Sequence, residues 1–183
     1  PGVSRTAESA RDLPDFPSFP PHPGRRDQKT VRRLPPLRAT LQPARPDDRL
    51  EVDEVWSFVR KRRWKRWLWT VLCRRTGHML AFVCGDHRER TCRRLWHRIP
   101  PASRGCLSFS DFWQADVAVF PMETHRGVGK ETGETAPMER WNTTLRQRNA
   151  RYVRKPLSFS KSARWHDRIT TWFIMTYNLS LLM

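Results

Sequence analysis

The chain has 183 residues, 38% of them hydrophobic and nine of them tryptophan, which is enough for one folded domain with a substantial core. Its formal net charge of +17 and isoelectric point near 11.3 predict an anionic partner, because excess arginine neutralises phosphates. A membrane surface is the competing anionic partner, but no stretch reaches the ~18 apolar residues that cross a bilayer, and no signal peptide is visible.

The first 49 residues differ in composition from the rest of the chain. Ten of the fifteen prolines lie at or before Pro46, whereas all nine tryptophans lie at or after Trp56. Prolines lack an amide donor and restrict the residue before them, and few aliphatic side chains offset the entropy of ordering. We therefore expect residues 1–49 to form a disordered or poorly packed arm, and residues 50–183 to form the folded domain.

Three strands open the domain. Leu50–Val59 alternates in polarity and predicts the first strand. The cationic run Arg60–Arg66 predicts an exposed turn, and Trp67–Cys73 and Met79–Cys84 predict the second and third strands. Short connections between consecutive strands are typical of an antiparallel meander.

A helix and a fourth strand follow. The segment Asp86–Arg98 has apolar residues at helical spacing and no proline or glycine, and Pro100 stops the helix. Cys106–Ser110 is short and apolar, which predicts a strand. Because this strand follows a helix, we expect it to run parallel to the first strand through a right-handed crossover.

The remainder predicts, in chain order, a short helix, a strand, a polar loop and two long helices: Gln114–Phe120, Met122–Val128, Lys130–Thr135, Pro137–Lys155 and Trp165–Leu182. Pro137 suits a first helical turn, and Pro156 ends that helix. The whole order of elements predicts a ribonuclease H-like α/β fold, in which a mixed five-stranded sheet is flanked by helices.

The two long helices each show a stripe of residues at core spacing. Met138, Trp141, Leu145 and Tyr152 mark the first stripe. Ile169, Trp172, Phe173, Thr176 and Leu179 mark the second. Both stripes predict ordinary packing against the sheet.

Three acids occupy informative positions in this order. Asp53 lies on the first strand, Asp111 just after the fourth, and Glu139 in the first turn of the long helix. Parallel neighbouring strands bring Asp53 and Asp111 to one edge of the sheet, where the helix of Glu139 can pack. Grouped carboxylates suit Mg²⁺ or Mn²⁺, and two such ions ~3.5–4 Å apart promote in-line displacement at phosphorus. The pattern therefore predicts chemistry on a phosphodiester.

Each acid alone also has an ordinary structural interpretation. A lone aspartate at a strand end commonly serves a turn or a cap, and a glutamate in a first helical turn serves the helix dipole. Glu54 competes with Asp53 for the role on the first strand. Alternation sends the two to opposite faces, and Asp53 is preferred because Glu54 shares its face with Val52 and Trp56.

Basic and amide side chains accompany the third acid. Arg146 follows Glu139 by seven residues, close to two helical turns, and Asn142 lies between them on the same face. This face offers a metal ligand, an amide and a phosphate clamp in a row. Further candidates for DNA contact are Lys130, Arg140 and Arg148, and His125 is a weaker candidate for DNA contact or for ordering the loop.

The four cysteines carry no metal signature. Cys73, Cys84, Cys92 and Cys106 form no C-x-x-C pair, so a structural zinc site is not expected. Buried, reduced thiols are typical of a cytosolic protein.

Several segments together resemble the IS1-family transposases of bacterial insertion sequences, over roughly Leu50 to the C-terminus. The stretches that carry the resemblance are Glu51–Val59, Arg66–Trp69, Gly85–Arg88, Ser110–Trp113, Gly129–Thr132, Glu139–Arg148 and Leu157–Ser162. The resemblance implies a DDE recombinase that cleaves and joins DNA strands at insertion-sequence ends. It matches Asp53, Asp111 and Glu139 to the acidic triad, and Arg146 to a basic position that follows the glutamate.

The same resemblance implies cofactors and partners. These are two Mg²⁺ or Mn²⁺ ions, double-stranded DNA as terminal repeats and target, and a homo-oligomer assembled on DNA. A cytoplasmic, nucleoid-associated protein of bacteria is expected.

Departures from the family pattern leave two other functions open. Residues 1–49 show neither the zinc motif nor the helix-turn-helix of the family's upstream region, and Asp116, Pro137 and Pro156 stand at unexpected positions. These features favour a decayed or truncated copy. One alternative is therefore a non-catalytic, basic DNA-binding remnant of a transposase. The other is an RNA-associated module, although no RNA-binding signature is present.

Overall fold

The computed structural model describes residues 34–111, 118–128, 136–153 and 159–182. Its five strands are β1 Arg49–Phe58, β2 Lys65–Cys73, β3 Met79–Gly85, β4 Leu107–Ser110 and β5 His125–Gly127. Its helices are α1 Glu89–Arg98, α2 Ala136–Arg148 and α3 Ala163–Ser180. Single 3₁₀ turns span Leu37–Thr40, Pro101–Ser103 and Ala150–Tyr152.

The strands form one mixed sheet in the order β3-β2-β1-β4-β5. β1, β2 and β3 are antiparallel, whereas β4 pairs parallel to β1 and β5 pairs parallel to β4. This arrangement confirms the predicted meander, the parallel fourth strand and the ribonuclease H-like α/β class. The pairing of β1 with β4 reaches Val52↔Ser110, so the C-terminal half of β1 continues past the end of β4.

The two faces of the sheet have separate cores because side chains alternate along each strand. Leu50 and Val52 of β1 lie in one cluster with residues of α1, including Leu95. Val55 lies in the other cluster, with Leu145 of α2 and residues of α3. β1 is therefore the strand against which both layers of helices are built, and its odd-numbered positions face α2.

Helix α1 begins at Glu89, three residues after its predicted start. The Asp86 carboxylate accepts hydrogen bonds from Thr91 Oγ1 at 2.5 Å and from Arg90 Nε at 2.8 Å, which holds the preceding backbone outside the helix. Gly85 ends β3 where a Cβ atom would stand 2.6 Å from Thr91 Cγ2. The glycine thus permits the close approach of α1 to the sheet.

Helix α2 ends at Arg148, so the prediction of a helix continuing to Lys155 was wrong. Asn149 adopts an extended backbone, with φ −121° and ψ 97°, and its side chain accepts a hydrogen bond from the Arg151 amide. This local bond starts a 3₁₀ turn in place of another helical turn. Tyr152 still reaches the core predicted for it, but from the turn and not from the helix.

Helix α3 buries Ile169 and Phe173 as predicted but leaves Leu179 37% exposed. The buried residue at this end is Asn178, whose Oδ1 accepts from the Met79 amide at 2.9 Å. Its Nδ2 donates to the Met79 carbonyl, also at 2.9 Å. Met79 begins the edge strand β3, where backbone groups need partners, and an asparagine amide supplies a donor and an acceptor together.

Packing begins before Leu50. Leu37 packs against the α2–α3 core, and buried Asp48 forms an ion pair with Arg75 at 2.5 Å. The division of the chain at residue 49 stays a prediction, and the first 33 residues lie outside the described part. Most of the predicted short helix at 114–120, the loop at 130–135 and Pro156 also lie outside it.

None of the helices in the described ranges combines the length and the apolarity that crossing a membrane requires.

Candidate active site

Strand β1 carries three acids within four positions, and alternation separates them as expected. Glu51 and Asp53 face α2, where they contact Met138 and Asn142. Glu54 faces the other side of the sheet, where its Oε1 lies 3.3 Å from His87 Nε2. The two acids next to each other in sequence therefore belong to different environments.

Glu51 fixes the start of α2 above the sheet. Its side chain is fully buried, Oε1 accepts from Arg74 Nε at 2.7 Å, and Oε2 accepts from the Met138 amide at 2.8 Å. A carboxylate at a helix N-terminus also interacts favourably with the helix dipole. No role was predicted for Glu51 from the sequence, although an acid at a core-facing strand position was a signal that it has buried partners.

The protonation equilibrium of Asp53 is strongly perturbed. Its Oδ2 accepts a hydrogen bond from Asn142 Nδ2 at 2.5 Å. Burial raises the pKa of Asp53 from 3.8 to about 6, the hydrogen bond from Asn142 acts in the opposite direction, and the charge of Asp111 adds to the rise. A carboxyl group in this state gains from any cation that enters beside it.

Asp111 lies directly after β4, one step beyond the last β1–β4 pair. That position puts it beside Asp53, and its negative charge accordingly disfavours ionisation of Asp53. The structure thus brings two of the three predicted acids together at the edge where β4 ends. Their catalytic role stays a prediction.

Glu139 is exposed in the first turn of α2. It precedes Asn142 by three residues, so the two share the helix face that meets Asp53. Over the described ranges, no group of three acidic, histidine or cysteine side chains is arranged to hold one metal ion. Glu139 therefore lies on the correct face of α2, but it does not join Asp53 and Asp111 in such a group.

An unpaired oxygen beside Asp53 bears on whether the site fits a cation. Asn142 Oδ1 is buried and has no hydrogen-bond partner among the residues that the structure describes. Buried polar atoms are normally satisfied, so an orphaned oxygen next to two carboxylates is an available ligand. Oxygen donors of this kind are those that Mg²⁺ and Mn²⁺ prefer, and the residues present fit a hard divalent cation.

The basic candidates fall in different places. Arg146 is half-buried on α2, and its positive charge acts on Asp53. Arg140 is exposed and Arg148 is half-buried on the same helix, whereas Lys130 lies outside the described residues. His125 is buried between Ser108 and Ser110, with Nδ1 and Nε2 at 2.8 and 3.0 Å from their hydroxyl oxygens, and burial lowers its pKa.

His125 therefore links β5 to β4, which fits its predicted role in ordering this part of the chain, and its burial gives no support to the predicted contact with DNA. Of the four cysteines that were predicted to be buried, Cys73, Cys92 and Cys106 are buried, whereas Cys84 is half-buried. Burial raises the pKa of the Cys84 and Cys106 thiols, which keeps them protonated.

Comparison with known proteins identifies the same region of the chain. The family profile of IS1 transposases matches residues 49–179, which include all three acids. The insertion element iso-IS1n protein InsB of Shigella dysenteriae is 36% identical over 126 residues, spanning 68% of this chain and 92% of the relative. The insertion element IS1 4 protein InsB of Escherichia coli K12 is 33% identical over 123 residues, spanning 65% and 69%. The IS1 protein InsB of Shigella flexneri is also 33% identical, spanning 65% and 88%.

Proposed function

This chain belongs to the IS1 transposase family, and on that basis we propose that it cleaves and joins DNA strands at the ends of an insertion sequence in a metal-dependent reaction. The observation that carries the proposal is the state of Asp53. It is a half-buried carboxyl whose pKa desolvation raises to about 6, adjacent to a second carboxylate and to an amide oxygen that has no partner among the described residues. Perturbed groups of this kind concentrate at functional sites.

We propose that the carboxylates of Asp53 and Asp111 bind two divalent ions directly. Glu139 is the proposed third ligand, from the helix face that also carries Asn142. Divalent ions, when bound, supply activation of the attacking oxygen and stabilisation of the leaving oxygen. Asn142 holds the Asp53 carboxylate in one orientation through its hydrogen bond, as outer groups commonly do for metal ligands.

Arg146 is the proposed phosphate clamp. Its charge already acts on Asp53, so a phosphate held by its guanidinium lies beside the carboxylates. Arg140 and Arg148 extend the basic surface along α2, and Lys130 completes the proposed set of DNA contacts. The proposed partner is double-stranded DNA, as terminal repeats and as target, bound by a homo-oligomer in the bacterial cytoplasm near the nucleoid. Such binding weakens steeply with added salt.

A plasmid assay tests the proposal. The purified full chain is incubated with Mg²⁺ or Mn²⁺ and a supercoiled plasmid carrying the sequences that flank its coding region. We expect nicked and joined products, and their loss in Asp53→Asn, Asp111→Asn and Glu139→Gln. The control is Glu89→Gln, which removes an exposed α1 acid that pairs with Arg93 in the next turn. Cleavage that persists in Asp53→Asn contradicts the proposal.

One observation favours a second candidate, a DNA-binding remnant without catalysis. In the described ranges, Glu139 does not join two other acidic, histidine or cysteine side chains in a group that could hold a metal ion. A remnant would bind DNA with strong salt dependence through its arginines yet leave the plasmid intact. Unchanged DNA affinity in Asp53→Ala, together with no cleavage by the unmodified chain, identifies this case.

A further inference from the structure

His125 forms a side-chain bridge to two serines of β4, apart from the acids of the candidate site. Nδ1 of its ring lies 2.8 Å from Ser108 Oγ, and Nε2 lies 3.0 Å from Ser110 Oγ. All three residues are buried. β4 and β5 pair over only three positions, so these two side-chain hydrogen bonds are a substantial part of what joins the strands.

The register of the parallel pair explains how one ring reaches both serines. His125 lies opposite Ser108, and Gly127 lies opposite Ser110. Because glycine has no side chain, none extends from that position toward the Ser110 hydroxyl, and the imidazole can reach it. The Val128 amide also donates to the Ser110 carbonyl at 2.9 Å. β5 therefore holds Ser110 through both its side chain and its backbone.

The imidazole is neutral, and its two nitrogens have different roles. Burial lowers the pKa of His125, and the positive charge of Arg126 acts in the same direction. Ser108 Oγ donates to the Thr124 carbonyl at 3.2 Å, which uses its only proton. Nδ1 of the ring therefore donates to Ser108, and Nε2 accepts the hydroxyl proton of Ser110.

Ser110 connects this bridge to the proposed cation site. It pairs with Val52 at the last position that β4 shares with β1, and Asp111 follows it directly. Val52 belongs to the core on the α1 side of the sheet, so Ser110 faces that side as well. The next residue, Asp111, then turns to the α2 side, where its charge acts on Asp53. Anchoring Ser110 on one face thus fixes where Asp111 begins on the other.

We propose that His125 is a positioning residue for Asp111 and acts through the Ser110 hydroxyl. The imidazole holds the C-terminal end of β4 against β5, which keeps the Asp111 carboxylate beside Asp53, where the two can share a divalent ion. This inference rests on the proposed function, and it adds a residue on the opposite face of the sheet to those on which the reaction depends. Outer groups that hold metal ligands in place commonly change metal affinity or rate by about 10- to 100-fold.

Two serine-to-alanine variants provide a matched test. Ser110→Ala and Ser108→Ala each remove one buried hydroxyl that contacts His125, from the same face of the same strand. Only Ser110 adjoins Asp111. We expect Ser110→Ala to weaken Mn²⁺ binding by the full chain about 10-fold, measured by electron paramagnetic resonance, and Ser108→Ala to leave it unchanged. Equal Mn²⁺ affinities of the two variants overturn the proposal.

A double-mutant cycle separates positioning from a general loss of stability. In the Asp111→Asn background, Ser110→Ala should have no further effect on Mn²⁺ affinity, because the carboxylate through which it acts is missing. A purely structural contribution would give the same reduction in both backgrounds, and that result rejects the positioning role.

Two replacements of His125 show which nitrogen matters. The amide of His125→Gln reaches the position of Nε2, beside Ser110, whereas the amide of His125→Asn reaches only that of Nδ1, beside Ser108. His125→Gln should therefore retain more of the Mn²⁺ affinity than His125→Asn. The reverse order contradicts an action through Ser110.

Hydrogen exchange covers the case in which the unmodified chain binds no Mn²⁺, an outcome that would refute the proposed cation site itself. The Val128 amide, which donates to the Ser110 carbonyl, should exchange about 5- to 10-fold faster in Ser110→Ala, the equivalent of one net hydrogen bond. The amides of β2 should keep their rates, since the opening is local. Faster exchange confined to Ser110→Ala supports the anchoring of this strand end by His125. The same increase in Ser108→Ala, or no increase in either variant, overturns it.

Discussion

Two carboxylates on one face of β1 have opposite surroundings. Glu51, fully buried, is satisfied by Arg74 on one oxygen and by the Met138 amide on the other. Asp53, two residues later, has a neutral amide on one oxygen and a second carboxylate as its neighbour. Two acids on one strand can thus differ in protonation, because Glu51 has a cationic partner and a backbone amide whereas Asp53 is desolvated beside a second carboxylate.

Because Glu51 and Asp53 have different partners, their carboxylates have different effects on the stability of the fold. A buried charge is costly unless it is paired, and Glu51 is paired twice. The pKa of Asp53 rises from 3.8 to about 6 because desolvation is the largest effect on it. That rise corresponds to at most about 3 kcal/mol of lost stability at neutral pH, at ~1.4 kcal/mol per unit. A bound cation removes this cost, which links cation binding to folding.

Asp53→Asn gives the largest expected effect, since cleavage should fall to background while stability rises. The folded-state pKa lies above the unfolded value of 3.8, so the destabilising contribution is absent below pH 3.8 and complete above about pH 6. Urea unfolding should show a gain of up to about 3 kcal/mol at pH 7 and almost none at pH 4. Asp47→Asn, at an exposed position, is the control. A destabilised Asp53→Asn protein would show that the ionised Asp53 carboxylate does not lower the stability of the fold.

Glu51→Gln should do the reverse and lower the free energy of unfolding by about 3 kcal/mol. The change leaves Arg74 without its buried partner and removes the negative charge at the first turn of α2. Denaturant unfolding at pH 7 measures it. Glu89→Gln breaks only an exposed pair and should cost less than ~1 kcal/mol. Equal effects of the two substitutions would show that the buried contacts of Glu51 stabilise the fold no more than an exposed ion pair does.

Asn142→Ala removes the side-chain hydrogen bond that the Asp53 carboxylate accepts. Cleavage should fall about 10- to 100-fold, as for groups that orient metal ligands. The hydrogen bond from Asn142 lowers the pKa of Asp53, so the acid limb of the pH–rate profile should move to higher pH. Thr143→Ala, at the next and exposed position, should leave both rate and profile unchanged. A rate loss without movement of the acid limb would assign Asn142 a purely structural role.

Acid should weaken cation binding through Asp53. With a pKa near 6, the carboxyl is mostly protonated at pH 5 and mostly ionised at pH 7. Competition with one proton then predicts about 10-fold tighter binding of Mn²⁺ at pH 7 than at pH 5. Calorimetric titration of the full chain at the two pH values measures the ratio. An affinity independent of pH would remove Asp53 from the cation site.

The sheet could be predicted because its signals are local. Alternation along β1 and short connections between consecutive strands yield the strand order, and the same alternation places Asp53 and Glu54 on opposite faces. The parallel pairing of β4 with β1 then brings Asp111 to Asp53. The proximity of Asp53 and Asp111, two of the three candidate acids, could therefore be predicted from the sequence.

Contacts between residues far apart in the sequence could not be predicted in this way. The Met138 amide lies 87 residues from Glu51, and Asn178 lies 99 residues from the backbone that it satisfies. Neither contact leaves a periodic pattern in the chain. The end of α2 depends on one local hydrogen bond at Asn149, which competes with another helical turn that the composition also permits.

Mn²⁺ binding followed by electron paramagnetic resonance measures whether Asp53, Asp111 and Glu139 bind divalent cations together, as proposed. We predict that the unmodified chain binds Mn²⁺, that the amide replacement of each of the three acids weakens binding, and that Glu54→Gln on the opposite face does not. Binding that is absent in the unmodified chain, or unchanged in Glu139→Gln, would show that the three acids do not form one cation site.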